Sequence, residues 1–221
     1  MNLSNDTIAI FKNFANINQN ILVKPGKKLN TISTMKNILA TADVKEDFEQ
    51  EFAIYDLPEF LRTLDLFETP TLKFNGGSSV GISGKDGRSS SKYTFADKSV
   101  IVAPTKAISM PDTDITFKFD KANLNRLMKG VVTLNLPDIE VIGDGSKIKL
   151  VANDRKNKAS NKFDIDIGTT DKTFKAYFKA ENFKMIEDDY DVAISKQKIS
   201  HFVNRNKPVQ YWIALEPESE F

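Results

Sequence analysis

Three phrases carry the reading of this chain. They are Phe52-Ala-Ile-Tyr-Asp56 running into Leu57-Pro-Glu-Phe-Leu61, Ile115-Thr-Phe-Lys-Phe-Asp120 running into Lys121-Ala-Asn-Leu-Asn125, and Lys175-Ala-Tyr-Phe-Lys179 running into Ala180-Glu-Asn-Phe-Lys184. Each opens with the period-two alternation of a strand and switches to the 3.6-residue period of a helix. Asp56 and Asp120 stand where an N-cap carboxylate satisfies the first free helical N–H groups, and Glu59 completes a capping-box pattern with Asp56. Working outward, helices are predicted over Ser4–Asn16, Leu57–Phe67, Lys121–Leu134 and a short Glu181–Glu187, so helix starts recur about every 52 to 64 residues. A helix followed by about three strands therefore repeats four times, as a supersecondary unit with weak sequence self-similarity.

The strands between these helices are rich in β-branched and aromatic residues. They are expected at Thr71–Phe74, Ser91–Phe95, Asp114–Asp120, Lys147–Ala152, Phe163–Ile167, Thr173–Lys179 and Val209–Leu215, with a further alternating stretch at Lys198–Val203. Turn signals punctuate them at Pro25-Gly26, Asn75-Gly76-Gly77, Lys85-Asp86-Gly87 and Gly143-Asp144-Gly145. Pro104 and Pro111 mark a midpoint. The expected organisation is an N-terminal domain over 1–98, a connector over 99–112 and a C-terminal domain over 113–221. The fold class is α+β, two similar domains each with two helices packed on antiparallel sheets.

Composition removes most chemistries. The 221 residues hold no Cys and one His, His201, which leaves no disulfide, thiolate metal site or paired-imidazole site. With 31 Lys+Arg against 30 Asp+Glu, only the distribution of charge can speak about nucleic acid. No apolar run reaches the ~18 residues of a membrane span, and a reducing cytoplasm suits a Cys-free chain. The glycines at 76, 77, 81, 84 and 87 lack the Lys-Ser/Thr pair of a phosphate loop and read as hairpin turns. Asp164 with Asp166 reads as a solvent-facing strand edge, Glu216, Glu218 and Glu220 as an acidic fringe, and Asp188-Asp189-Tyr190-Asp191 as a turn. No catalytic or metal constellation emerges and no cofactor is expected.

The helix over Lys121–Leu134 turns Leu124, Leu127, Met128 and Val131 inward and Ala122, Arg126 and Lys129 outward, with Lys121 on the flank. It holds three cations and no anion. The N-terminal helix turns Leu3, Thr7, Phe11 and Phe14 inward, leaving Asn5, Ala9, Lys12, Asn13 and Asn16 as a small, polar, mildly basic face. The second helix balances Arg62 against Glu59 and Asp65, and the fourth offers Lys184.

At these residues the chain resembles the DNA polymerase sliding clamps of contractile-tailed phages, within the wider superfamily of DNA clamps and the proliferating cell nuclear antigen. The resemblance runs through Leu3-Ser-Asn-Asp-Thr7, Lys12-Asn-Phe-Ala-Asn-Ile-Asn18, Ala53-Ile-Tyr-Asp-Leu57 with Phe60-Leu61, Val102-Ala-Pro-Thr-Lys106, Tyr211-Trp-Ile-Ala-Leu-Glu216 and Phe221. It implies the DNA clamp fold and a homotrimeric ring around duplex DNA, with helices lining the hole. The implied function is a processivity factor that tethers the replicative polymerase and is not an enzyme.

From that resemblance and the charge pattern, Lys12, Arg62, Lys121, Arg126, Lys129 and Lys184 are expected to face DNA. Subunits are expected to join through strand edges, Ser91, Lys92, Tyr93 and Phe95 of one meeting Phe163, Asp164, Ile165 and Asp166 of the next, with Lys92 opposite Asp164 or Asp166. A partner pocket is expected from Val100, Ile101, Val102 and Pro104 on the connector with Tyr211, Ile213, Leu215 and Pro217. Implied partners are double-stranded DNA bound without sequence preference, the polymerase, a clamp-loader ATPase, the chain itself and phage transcription factors, in an infected bacterial host. The alternative from another class is a β-rich virion or scaffold protein assembling through its strand edges.

Overall fold

The computed structural model describes residues 1–85 and 87–221; the turn signalled at Lys85-Asp86-Gly87 includes Asp86, which lies outside them. The chain divides into two compact units, Met1–Ala107 and Ile108–Phe221.

The first unit runs α1 (Asn5–Ile17), β1 (Ile21–Val23), β2 (Gly26–Ile32), β3 (Ile38–Phe48), β4 (Phe52–Ile54), α2 (Leu57–Leu64), β5 (Thr71–Phe74), β6 (Ser79–Ser83) and β7 (Ser90–Thr94). The Ser4 hydroxyl accepts from the Thr7 N–H at 3.3 Å and starts α1, whose buried stripe is Thr7, Ile10, Phe11, Phe14 and Ile17. Asp56 does the same for α2, accepting from the Glu59 N–H at 2.7 Å. Glu46 of β3 is buried against α1; burial raises its carboxyl, but hydrogen bonds from the Thr7 hydroxyl and the Ser4 N–H outweigh that and hold its pKa below the ordinary value. Phenylalanines join the layers: Phe11 packs edge-on to Phe48, Phe48 to Phe52, and Phe52 against Phe95 at 5.0 Å. β1 pairs antiparallel with β4, β2 with β3, and β5, β6 and β7 form a meander.

The second unit runs β8 (Ile115–Phe119), α3 (Lys121–Leu134), β9 (Asp138–Asp144), β10 (Lys147–Asn153), β11 (Phe163–Thr169), β12 (Thr173–Lys179), a 3-10 turn (Ala180–Asn182), β13 (Tyr190–Ser195), β14 (Ile199–Asn204) and β15 (Val209–Ala214). Asp120 caps α3 through the Asn123 N–H at 2.7 Å, and Asn135, in the left-handed region at φ 53°, ends it. One antiparallel sheet runs β11-β10-β9-β12, and β15, β14, β13 and β8 lie side by side in another. Between the layers Phe178, Phe183, Phe202, Tyr190 and Tyr211 pack edge-to-face.

In this α+β protein a helix followed by strands recurs three times, a 3-10 turn takes the place of the fourth helix, and the pairing is crossed in each unit. β4 joins the first run of strands through β1, as β12 joins its counterpart through β9. β8 joins β13, while residues Met1–Asn2 take that place in the first unit, beside β5.

Two helix expectations are corrected. α2 ends at Leu64 rather than Phe67. The fourth helix, expected over Glu181–Glu187, is a single 3-10 turn, because Lys179 supplies no side-chain cap and tyrosines claim the backbone that would continue it. The Tyr190 hydroxyl donates to the Ile186 carbonyl at 2.6 Å, and the Tyr211 hydroxyl accepts from the Ile186 N–H at 3.3 Å.

Candidate nucleic-acid and subunit interfaces

The helix cations lie in unequal surroundings. Leu124, Leu127, Gly130 and Val131 seat α3 on its unit, with Met128 half-buried, and Lys121, Arg126 and Lys129 are exposed. Among the described residues none of those three side chains forms an ion pair, though the Asp189 carboxylate lies beside Lys121, accepting from its backbone N–H at 2.8 Å. Lys12 of α1 is exposed too, but Asp65 lies 3.7 Å away and offsets part of its charge. Arg62 is exposed on α2 near Glu59, and Lys184 is exposed just beyond the 3-10 turn. The positive surface is therefore concentrated on α3.

The strand edges divide as sharply. In β5-β6-β7 the β5 edge is closed by the chain start, the Leu72 N–H donating to the Met1 carbonyl at 2.7 Å, while β7 is last in its sheet. In β11-β10-β9-β12 the β12 edge is closed by the chain end: Lys175 and Glu220 exchange both backbone hydrogen bonds at 2.9 and 2.8 Å, and the Glu216 N–H donates to the Tyr177 carbonyl at 2.8 Å. β11 is last on the other side. Along β7 and the residue after it, Ser91, Tyr93 and Phe95 turn inward and Lys92 outward; along β11, Phe163 and Ile165 turn inward and Asp164 and Asp166 outward. Tyr93 is anchored by its hydroxyl, which donates to the Asp56 carbonyl at 3.1 Å, and burial beside the carboxylates of Glu59 and Asp56 pushes its pKa to about 12. Asp166 is shared by Lys147 at 2.9 Å and Lys149 at 3.9 Å, whereas Asp164 has no cation partner among the described residues. The strand α3 rests on is β11: a Cβ on Gly130 would lie 2.6 Å from the Phe163 ring.

The residues expected to make a partner pocket separate by burial. Tyr211, Ile213 and Leu215 are at most 5% exposed and fill the core of the second unit. Pro217 is exposed. On the connector Val100 is exposed and Ile101, Val102 and Pro104 are half-buried; the Val102 N–H donates to the Asn20 side chain at 3.1 Å and its carbonyl accepts from Asn18 at 3.0 Å. The acidic fringe is engaged within its unit, Glu216 facing Lys179 at 3.9 Å, Glu218 facing Arg155 at 3.5 Å and Glu220 facing Lys175 at 3.6 Å.

The remaining polar motifs are structural. His201 stacks flat on Trp212 at 4.4 Å and hydrogen-bonds Gln210. Asp188 accepts from Lys207 at 2.8 Å and Asn206 at 2.6 Å, bonds that outweigh burial and hold its carboxyl far below the ordinary value. Gly76 sits in the β5–β6 turn with φ 69°, which glycine adopts without strain. Among the described residues no cluster of His, Asp and Glu is arranged to hold a metal, and no helix is long and apolar enough to cross a membrane.

Two crossed α+β units with a cationic helix define a class, and comparison supplies the family. Residues 4–103 match the family model described as DNA polymerase processivity factor, and residues 116–217 match gp45 sliding clamp, C terminal. The sliding clamp of Vibrio phage KVP40 is 31% identical over 98% of this chain and 99% of its own length. That of Enterobacteria phage T4 is 28% identical over 99% of this chain and 98% of its own. In fold, the chain is similar to the Proliferating Cellular Nuclear Antigen of Entamoeba histolytica, with TM-score 0.68 and 13% identity over 96% of this chain and 95% of that one. It is likewise similar to a chain of the PCNA2-PCNA3 complex of Sulfolobus tokodaii, with TM-score 0.65 and 15% identity over 99% and 100%.

The chain belongs to the sliding clamp family of DNA polymerase processivity factors, which act without enzymatic chemistry. Nothing in these comparisons supports the virion or scaffold alternative.

Proposed function

We propose that this clamp closes by edge-to-edge assembly into a homotrimer that encircles duplex DNA, attracts its phosphates through α3 and tethers the replicative polymerase through its connector. The observation that carries it is the division of strand edges: the chain's own ends close β5 and β12, and β7 and β11 stay open. An open edge invites pairing with another chain, and a head-to-tail pairing that closes on itself uses up both β7 and β11. In this reading Ser91, Lys92, Tyr93 and Phe95 of one subunit meet Phe163, Asp164, Ile165 and Asp166 of the next. Lys92 pairs with Asp164, since Asp166 already has two lysines.

Arg126 and Lys129 face the hole, with Lys12, Arg62, Lys121 and Lys184 as weaker contributors, attracting phosphates without gripping bases. The connector residues Val100, Ile101, Val102 and Pro104 offer the polymerase a docking strip, with Pro217 a separate exposed contact. A ring of this kind requires a clamp-loader ATPase to open it, phage transcription factors are further users of the same strip, and the site of action is the cytoplasm of an infected bacterial host.

The test is the double reversal Arg126→Glu with Lys129→Glu. Synthesis on primed circular DNA at moderate salt is expected to lose processivity by about tenfold or more, with trimer mass and Tm unchanged, while Lys12→Glu loses less because Asp65 already offsets Lys12. Indifference of synthesis to the double reversal overturns the assignment of α3, and a monomeric mass at micromolar concentration overturns the ring.

A further inference from the structure

The two units differ at one corresponding place, beside the strand that enters the second repeat. In the second unit the chain leaves β15, the Leu215 N–H donates to the Lys198 carbonyl, the Glu216 N–H donates to the Tyr177 carbonyl, and the tail then folds back along β12. In the first unit the chain leaves β7 by the same steps, with Phe95 N–H to the Ser78 carbonyl at 2.8 Å and Ala96 N–H to the Ala53 carbonyl at 2.9 Å. Ala53 therefore corresponds to Tyr177, Phe52 to Ala176 and Glu51 to Lys175.

There the likeness stops. Asp97 accepts from the Ser99 N–H at 2.8 Å and turns the chain away in a 3-10 turn at Lys98–Val100, so nothing folds back along β4. A residue in an antiparallel ladder points its N–H and C=O to the same side, so the Ala53 N–H faces the position the tail would take. Among the described residues no hydrogen bond reaches that N–H or the Glu51 backbone. What remains is a cavity of ≈ 470 Å³ lined by Leu22, Phe52, Ala53, Gly77 and Phe95, with Glu51 on its rim.

We infer that this open edge of β4 is a docking slot for an extended, basic-aliphatic segment of a partner protein, which adds as a short strand where the second unit carries its own tail. The tail is the template for the occupant. Its Glu220 lies 3.6 Å from the Lys175 ammonium, and the residue in the place of Lys175 is Glu51, so the charge is reversed and the incoming residue opposite Glu51 is a lysine or arginine. Lys98 stands in for that cation, 3.3 Å from Glu51 across exposed side chains, where it is easily displaced. Where the tail of the second unit meets polar Glu140 and Tyr177, the slot presents Leu22 and Ala53, paired in register as those two are, so an aliphatic side chain fits over them. Backbone pairing would supply affinity, and the cation with its aliphatic neighbour the selectivity. The inference rests on the first unit alone and does not depend on ring closure.

The probes are two synthetic peptides: the sequence of residues 215–221, and the same peptide carrying Glu220→Lys. Both are titrated into the full-length protein and into its Glu51→Lys variant, a rim substitution that leaves the core untouched, with oligomeric mass recorded alongside. The lysine peptide is expected to bind the unmodified protein about tenfold more tightly than the native peptide, as a paired charge at an interface allows, and to slow hydrogen exchange at the Ala53 and Glu51 amides. On Glu51→Lys the preference reverses. Equal binding of the two peptides, a preference that does not reverse, or no binding of either overturns the slot, whatever the oligomeric mass.

Discussion

Each unit closes one sheet edge with a chain terminus, but the two closures differ in extent. In the first unit only Met1 and Asn2 reach β5, Met1 exchanging hydrogen bonds with Leu72 and Asn2 bridging to Thr71, and β4 is left bare. In the second, residues 216–220 cover β12 with backbone bonds at both ends, the Ser219 hydroxyl accepting from the Tyr177 N–H at 2.9 Å, and three glutamate–cation pairs. The contrast teaches that an acidic tail can be a structural strap rather than a lure for partners. Its charges are matched to β12 and its neighbours before any partner arrives.

Removing the strap is the most direct way to break the comparison. Deleting residues 216–221 leaves β12 as bare as β4 and removes four backbone-directed hydrogen bonds, each worth about 1 kcal/mol net. A loss of about 2–4 kcal/mol in unfolding free energy is expected, read in denaturant titrations, together with concentration-dependent association through the new edge. Unchanged stability after the deletion would mean the tail only rests on the strand.

A second variant sharpens the link between helix and edge. Gly130→Ala places a methyl 2.6 Å from the Phe163 ring and 3.2 Å from its Cβ, so the Phe163 side chain must shift, and β11 or α3 with it where the ring cannot turn aside. The expected cost is about 1–3 kcal/mol of overpacking, with a lowered trimer population in sedimentation because the displaced strand is the open edge. Gly168→Ala, with nothing within 4 Å of the new methyl, is the control that should leave both nearly unchanged.

The smallest expected effect separates the units by pH. Glu46 and Asp188 both have depressed pKa values, so each contributes stability in full above the ordinary carboxylate range and loses it as pH falls through its folded value. Asp188 is depressed far more, so the second unit keeps its contribution to lower pH. Trp212, the sole tryptophan, lies in the second unit and reports on it alone. On acidification its fluorescence transition should fall below the far-ultraviolet dichroism transition, which averages both units; coincident transitions would show that the units unfold together.

How much was legible follows from the kind of signal each feature leaves. The caps at Asp56 and Asp120, the extent of α3 and the strands at Thr71–Phe74 and Thr173–Lys179 rest on local hydrogen bonds and periodicity, which lie within a few residues of one another. β1, β2 and β3 left no comparable signal: β1 is three residues long, and in β3 Ile38–Ala40 are buried in succession, so alternation is lost. Tyr211, Ile213 and Leu215 alternate as any half-buried strand does, and period two cannot tell a core face from a pocket.

The sequence by itself determined three of the four expected helices, the concentration of cations on one of them and the absence of thiol or paired-imidazole chemistry. These are set by residue identity and short-range spacing. The tertiary structure decided what depends on distant residues meeting. Tyr190 and Tyr211 reach back to Ile186 and replace a helix by one turn; Asp65 reaches Lys12 and weakens one cation, while among the described residues Arg126 and Lys129 form no ion pair. The last residues of the chain return to β12 and seal an edge that the first unit leaves open. Hydrogen bonds and ion pairs between segments tens of residues apart cost loop entropy and are held only by the packed whole, so no window of sequence contains them.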